Sequence, residues 1–516
     1  TIVDGVETWH IYTKYGLAWF TSYVNGLNLV SLDGSTLPPA KPNVNAFLER
    51  DVDMREHIWV PIGSTNPSKG FGTEIVFTDG GNYLGEFNGQ GHIITGLQCR
   101  YVTGIEKYGL FGAVGDGGKV KNTFVDEHVF WTFKKGTENA HAYRIGGIAS
   151  EASGNAVICG SEARGKILVP VTECITKATY VGGLVGKAEG TTSKPVTIHS
   201  SMAMPEIYGS AKYVGGLAGY LNDYSNLYNS FSNPKFPEDK YTDTIKSGDN
   251  IIDSIYFGGL VGINNGIVEN CYSRLQDSEP IGDGLQTGKS IFGWLAGTNN
   301  GTINYSYAPH PSSGTRVYVR KTESPGNNTP LGHGTYTATQ SYSHKYGFKH
   351  RDHQMAKAIE GHTNPYIIAN KTNDTLIGGL MHSLNEWVKT STNGWNATNN
   401  TNTNGYAVWT RTMASPINDD YPIPMLTEKN ASAKFNSVGS IDSIYMVYED
   451  DVNHMWTGDN GKHFDTLTST YHPGAAMYLY GVQPSVFVPN PDPEGQPISV
   501  IVPVSISGNT IVPLTS

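Results

Sequence analysis

A glycine-framed apolar tetrad recurs through the middle of this chain, and a recurring unit narrows the choice of fold more than any composition can. The copies read Gly109-Leu110-Phe111-Gly112, Gly147-Ile148-Ala149, Gly183-Leu184-Val185-Gly186, Gly216-Leu217-Ala218-Gly219, Gly259-Leu260-Val261-Gly262 and Trp294-Leu295-Ala296-Gly297, and successive copies start 33 to 43 residues apart. A second signature follows the tetrads: Val120-Lys121-Asn122-Thr123-Phe124, Ile198-His199-Ser200-Ser201-Met202, Leu227-Tyr228-Asn229-Ser230-Phe231, Val268-Glu269-Asn270-Cys271-Tyr272 and Ile303-Asn304-Tyr305-Ser306-Tyr307. Between the signatures lie short β-prone runs broken by Gly, Asn, Ser and Asp, without helical periodicity, so the unit is strands joined by turns. Units this small bury an apolar face only by stacking on copies of themselves, which predicts a solenoid.

A right-handed parallel β-helix fits the unit best, with each repeat wrapping once around the axis about 4.8 Å from the next. The alignment then predicts an internal aliphatic column of Val120, Ile158, Ile198, Leu227, Val268 and Ile303. Asn122, Asn229 and Asn270 are expected in a turn where Asn tolerates an unusual φ and its amide can bond along the stack. Phe124, Tyr272 and Tyr307 are expected in an aromatic stack. The paired glycines, Gly183 and Gly216 among them, allow a coil-to-coil approach that a Cβ would block. A β-propeller is the structural rival, but its four-stranded blades need more regular alternation than these copies have.

These residues resemble the GLUG-motif repeat proteins, a family of secreted and surface proteins of bacteria that includes regions similar to the β-helical part of immunoglobulin-A-peptidase-type surface proteins. The resemblance covers residues 8 to 426. Tyr15-Gly16-Leu17-Ala18-Trp19-Phe20, Phe47 to Met54, Trp59-Val60-Pro61-Ile62-Gly63 and Gly85 to Ile94 look like the helical cap and first coils that precede such repeats. Leu384-Asn385-Glu386-Trp387-Val388, Trp409 and Tyr421-Pro422-Ile423-Pro424 look like the closing segment. Two positions depart from the pattern: Asn88 stands where the family often has Asp, and Trp294 replaces the leading Gly of the last copy. Both lie toward the ends of the array, where capping repeats are atypical.

The expected organisation is an N-terminal cap and first coils over 1–100, repeats over 101–310, closing coils and cap over 311–426, and a small all-β, sandwich-like domain over 427–516. In the last part Ser443 to Glu449, Met477 to Val482 and Ser485 to Val488 read as strands, and Pro489 to Gly495 as a rigid turn or linker. Ile498, Val500, Val502, Val504 and Ile506 alternate as one face of a strand, and Pro503, which removes a ladder donor, predicts that this strand is an edge or the start of a contact with something else.

Chemistry is sparse. Asp51 and Asp53, two apart in a strand-like run, project from one face, as a polysaccharide-active glycosidase or lyase on this scaffold could use, and Asp79, Glu86 and Asp126 could add to such a site. Against that reading, the same run matches the capping coil, where acidic residues face outward between buried Val52 and Met54. His350 and His353, after His333 and His344, could share a metal on a helix, yet no further ligand completes a set, and a solvated basic turn explains them. Asp459-Asn460-Gly461 and Asp465 lack the Gly and Glu positions of a calcium loop. No Gly-x-Ser-x-Gly or dinucleotide fingerprint is present, so no cofactor or metal is expected. Trp395, Tyr406 and Trp409, in an Asn/Thr-rich stretch, suit stacking on sugar rings; capping of the last coil accounts for them as well.

Composition closes off other classes. Lys and Arg number 36 against 46 Asp and Glu, with no basic run, which is a poor footprint for nucleic acid. No apolar stretch reaches the roughly 18 residues of a membrane span. Four cysteines, Cys99, Cys159, Cys174 and Cys271, have neither disulfide-scaffold density nor zinc spacing. The start at Thr1, without Met or an apolar leader, is expected to reflect removal of a signal peptide. The leading expectation is a non-enzymatic bacterial surface or extracellular protein whose long flank binds a glycan or a host or microbial surface protein, with envelope assembly through 427–516. A structural spacer in the cell envelope is a third reading.

Overall fold

The computed structural model describes residues 2–3, 5–26, 40–55, 58–69, 75–79, 81–99, 106–131, 143–169, 179–208, 211–235, 244–247, 250–254, 256–274, 291–293, 295–309, 331–333, 337–339, 342–344, 379–399, 401–412, 422–424, 446–449, 476–479, 485–489, 499–507 and 510–513. The chain divides into two compact units, Thr1–Gly347 with Ala358–Pro365, and Phe348–Lys357 with Tyr366–Ser516.

The first unit is a parallel β-solenoid. Each coil of the repeat region contributes one strand to each of four sheets, and strands pair coil to coil in parallel. One coil runs Tyr180–Gly182, then Val185–Glu189, then Val196–His199, then Met202–Tyr208. The first strand precedes the tetrad, the second grows out of it, and the third and fourth carry the second signature. This continuous parallel pairing is the solenoid, not the propeller.

The predicted aliphatic column is present. Val120 pairs with Ile158, Ile158 with Ile198, Ile198 with Leu227, Leu227 with Val268 and Val268 with Ile303, and all six are buried. The aromatic stack is less uniform than expected: its row runs Phe124, Glu162, Met202, Phe231, Tyr272, Tyr307. Phe231 and Tyr272 stack flat, 5.0 Å apart. Glu162 enters this buried row because Arg164 lies beside its carboxylate as an ion pair.

Between these two strands the chain turns through one left-handed residue per coil: Asn122, Gly160, Ser200, Asn229, Asn270 and Tyr305 all have φ between 48° and 58°. The N–H groups of the first five donate to the next coil, from Asn122 to Cys159 O at 2.9 Å and from Asn229 to Glu269 O at 2.9 Å. The Asn side chains bond along the stack as expected, with Asn270 Nδ2 donating to Asn229 Oδ1 at 2.8 Å. The following residue adds a hydroxyl ladder that the sequence did not suggest. Ser161 N donates to Ser201 Oγ at 3.2 Å and Ser201 N to Ser230 Oγ at 3.1 Å, while the Ser201 and Ser230 hydroxyls donate back to the carbonyls of His199 and Tyr228 at 2.8 and 2.7 Å. These serines are fully buried. Ser201→Ala is therefore expected to cost about 2 kcal/mol, because the buried Ser161 N–H loses its acceptor; urea unfolding measures it, and a cost near zero would remove the ladder from the account of stability.

The N-terminal end is closed by the helix Lys14–Asn25. Thr13 caps it, its Oγ1 accepting from Gly16 N at 3.1 Å, and Gly26 ends it with φ 71°. Leu17, Phe20 and Val24 are buried against the first coils, with the Phe20 ring 6.1 Å from those of Tyr83 and Phe87. Asn25 fixes the helix end, donating to Pro61 O at 3.0 Å and accepting from Gly63 N at 2.7 Å.

In the second unit the helix Gly379–Val388 precedes antiparallel strands. Trp409–Thr412 pairs with Ile423–Pro424 and with Met446–Glu449, so one sheet joins strands on both sides of position 426. The Pro503 strand, Ser499–Ser507, is not a simple edge. Its first half pairs with Ser485–Pro489 and its second half with Thr510–Pro513, and Pro503 lies where the partner changes. Among the described residues each half pairs with one strand only, and the missing N–H falls at the change of partner. Among the described residues no helix is long and apolar enough to cross a membrane.

Candidate ligand-binding flank

The strands that precede the tetrads carry an outward row of aromatic side chains. Tyr180 stands opposite Tyr213, and Tyr213 opposite Tyr256. Their neighbours Val181, Val214 and Phe257 are fully buried, so strand alternation turns the tyrosines outward, where each is half-buried. The rings stack along the solenoid axis with centroids 5.1 and 5.5 Å apart and planes within 26° of parallel.

A second outward row runs alongside in the tetrad sheet, with Glu151 opposite Lys187, Lys187 opposite Tyr220 and Tyr220 opposite Ile263. The two rows converge. The Tyr220 ring meets Tyr180 edge-on at 5.4 Å, and Lys187 Nζ lies 5.4 Å from the Tyr180 centroid and 5.9 Å from that of Tyr220. Gly219 permits this approach, since a Cβ there would fall 2.7 Å from Val181 N. Lys187 also pairs with Glu189 at 2.8 Å, Asn265 Nδ2 donates to the Tyr220 hydroxyl at 3.3 Å, and Lys212 Nζ lies 5.3 Å from the Tyr213 centroid. Burial pushes the Tyr180 phenol up to about 12 and raises that of Tyr220, so both keep their protons at physiological pH. Toward the N-terminal end the same rows carry Lys107 and Arg144, which face Glu151 at 3.5 and 3.8 Å. The flank thus passes from compensated charge into a phenolic ladder.

The sequence signal for this row is a Tyr three residues before the leading glycine in three successive tetrads, at Tyr180, Tyr213 and Tyr256. Aromatic residues in such repeats read first as core, so a periodic Tyr on the outer face does not stand out in the sequence.

The acidic residues singled out from sequence have separate partners, although Asp53 and Asp126 share one row, each in register with Thr95. Asp51 accepts from Ile93 N at 2.9 Å and meets His92 Nδ1 at 3.0 Å. Asp53 is bound by Arg55, whose side chain and then backbone N–H hold its carboxyl down to about 2, so it remains ionised at neutral pH and is no general acid there. Glu86 pairs with Lys121 at 2.9 Å, and Asp126 accepts from Glu127 N. Asp79 ends the strand Ile75–Asp79, which forms a hairpin with Thr65–Lys69.

Trp409 is fully buried, its N–H donating to Asn385 Oδ1 at 2.7 Å and its carbonyl accepting from Asn385 Nδ2 at 2.8 Å. That makes it part of the core of its own unit. Tyr406 lies 5.0 Å from the Trp387 ring, and Lys389 Nζ sits 5.8 Å from Trp395; both aromatics are half-buried. His350, His353 and the stretch from Asp459 to Asp465 lie outside the described residues, as does Trp294. Among the described residues no three His, Cys, Asp or Glu side chains cluster to hold a metal.

No family model matches the chain, and no curated protein is similar to it. Solved structures similar to part of this chain include two that carry related names. A Bacteroides ovatus chain named as a candidate immunoglobulin A1 protease shares 13% identity at a TM-score of 0.38, over 64% of this chain and 84% of that one. A chain named IgA1 protease shares 13% identity at a TM-score of 0.29, over 66% of this chain and 20% of that one.

Proposed function

We propose that this chain is a non-enzymatic binding protein of a bacterial surface or the extracellular space, and that it holds an extended partner, a glycan or a surface protein, along the Tyr180–Tyr213–Tyr256 flank. The observation that carries the reading is the in-register phenolic ladder, flanked by Tyr220 and Lys187 and half open to solvent. A solenoid offers such a row as one continuous strip, and stacked, immobilised tyrosines lose little entropy on binding. The resemblance of the tetrads to repeats of secreted and surface proteins supports the compartment.

The test is a screen of the full chain against immobilised glycans and extended peptides, with release of reducing ends or unsaturated sugars followed in parallel. Retention of a partner without turnover is expected, weakened about ten-fold or more in Tyr180→Ala and Tyr213→Ala chains that remain folded. Turnover that disappears in Asp51→Asn or Asp53→Asn would overturn the binding reading in favour of the enzyme.

A further inference from the structure

Tyr180 and Tyr213 have a chemical property that does not depend on what the flank binds. They stand directly opposite in parallel strands, so their side chains leave the sheet about 4.8 Å apart and in one direction. Their rings stack with centroids 5.1 Å apart and planes 21° from parallel, which brings equivalent ring carbons near one another, those beside the hydroxyl included. Both side chains are half-buried, so the open side of the flank admits an oxidant and leaves the rings room to tip about the broad terminal torsion of Tyr.

Two phenols held in this way are a pair for oxidative coupling. One-electron oxidation removes an electron from each ring and the proton from each hydroxyl, leaving two neutral phenoxyl radicals whose unpaired spin lies partly on the ortho carbons. A carbon–carbon bond forms between one ortho carbon of each ring, and the hydrogens on those carbons move to the phenolic oxygens, which restores both hydroxyls and both aromatic rings. The pair loses two hydrogen atoms, and these reduce one hydrogen peroxide to two waters at a haem peroxidase. Because electron and proton leave together, no positive charge develops beside Lys187 and Lys212, whose Nζ atoms lie 5.4 and 5.3 Å from the Tyr180 and Tyr213 centroids. The same register elsewhere lacks access: Tyr272 stands opposite Tyr307 but is fully buried.

We infer that Tyr180 and Tyr213 form a site of oxidative cross-linking, where a peroxidase supplied with peroxide joins two successive coils through a dityrosine bond. Like a disulfide, that bond closes a loop in the unfolded chain and so braces the folded stack.

The test treats the dilute full chain with a haem peroxidase and hydrogen peroxide, beside free tyrosine as proof of oxidation. Links are followed by dityrosine fluorescence and located by tandem mass spectrometry of the digested chain. The expected product is a monomer, lighter by two hydrogens, with Tyr180 joined to Tyr213, a yield per chain that does not change on dilution, and a raised unfolding midpoint. Tyr180→Phe and Tyr213→Phe keep the ring and remove the hydroxyl; each should lose most of the monomer's dityrosine fluorescence, with an unfolding midpoint before oxidation equal to the parent's. Links that map only to other tyrosines, a yield that falls in proportion to chain concentration, or no dityrosine while free tyrosine couples would each overturn the site. A Tyr180–Tyr213 link that leaves the midpoint unchanged overturns its role as a brace. Partner binding enters none of these readouts, so their failure and that of the binding role are distinct.

Discussion

A Gly183→Val chain is expected to lose at least about 3 kcal/mol of stability in urea unfolding. An added Cβ at this position would lie 2.2 Å from Gly216 O, 2.7 Å from Pro205 Cγ and 2.9 Å from the Ala203 Cβ. The first of these is backbone of the next coil and cannot rotate away. Gly183 also takes part in the inter-coil ladder, donating to Gly215 O at 3.2 Å and accepting from Gly147 N at 3.0 Å. Room for the side chain therefore comes only by spreading two coil interfaces at once, and a stacked array is stabilised almost wholly by such interfaces. Gly216→Val should behave alike, since its Cβ would fall 2.0 Å from Gly259 O. Unfolding midpoints equal to the parent chain in both variants would contradict the stacking geometry.

The second large effect is acid lability centred on His128. This imidazole is fully buried, 4.6 Å from the stacked Phe130 ring, and neither ring nitrogen has a hydrogen-bond partner of normal geometry. Burial depresses its pKa to about 3, offset only in part by the Arg164 backbone. His199 is lowered to about 4, again chiefly by burial. Both groups are neutral in the folded chain at pH 7, and the unfolded chain takes up the protons first, below about pH 6.5. Their contribution is thus complete above the unfolded pKa and drains away as pH falls toward the folded values. Between pH 6.5 and 4.5 each should cost about 2 to 3 kcal/mol. His128→Phe keeps a flat ring and removes the titrating group, so it should abolish roughly half of this pH slope and gain about 1 kcal/mol at pH 7. Parallel stability–pH curves for the parent and the variant would show that His128 does not titrate as buried.

The solenoid and its column of Val120, Ile158, Ile198, Leu227, Val268 and Ile303 were legible because their signal is periodic. A residue that must stack on its own counterpart reappears at the same place in every repeat. The left-handed turn at Asn122, Asn229 and Asn270 was legible for the same reason, with a backbone cause attached. Glu162 in the aromatic row was not, because its tolerance depends on Arg164, two residues on and visible as a partner only once the strand is folded. The hydroxyl ladder of Ser161, Ser201 and Ser230 reads in sequence merely as small residues, since its function lies in which coil each hydroxyl faces. The site was the least legible part. Asp51, Asp53, Trp395, Tyr406 and Trp409 stand out through residue type, whereas Tyr180, Tyr213 and Tyr256 become one continuous row only when three coils set them in line.

The parallel ladder also has a mechanical consequence. Its hydrogen bonds run along the solenoid axis, from each coil to the next. Tension applied between the two ends of the array therefore pulls on these bonds lengthwise, coil after coil, and does not shear many strands together. Under load such a rod yields by peeling, releasing one 33- to 43-residue coil at a time from an end, and each released coil lengthens the tether by roughly 3.3 to 3.6 Å per residue. A protein built this way dissipates a tug in small repeated steps and keeps the phenolic rungs of the remaining coils in register until their own turn comes.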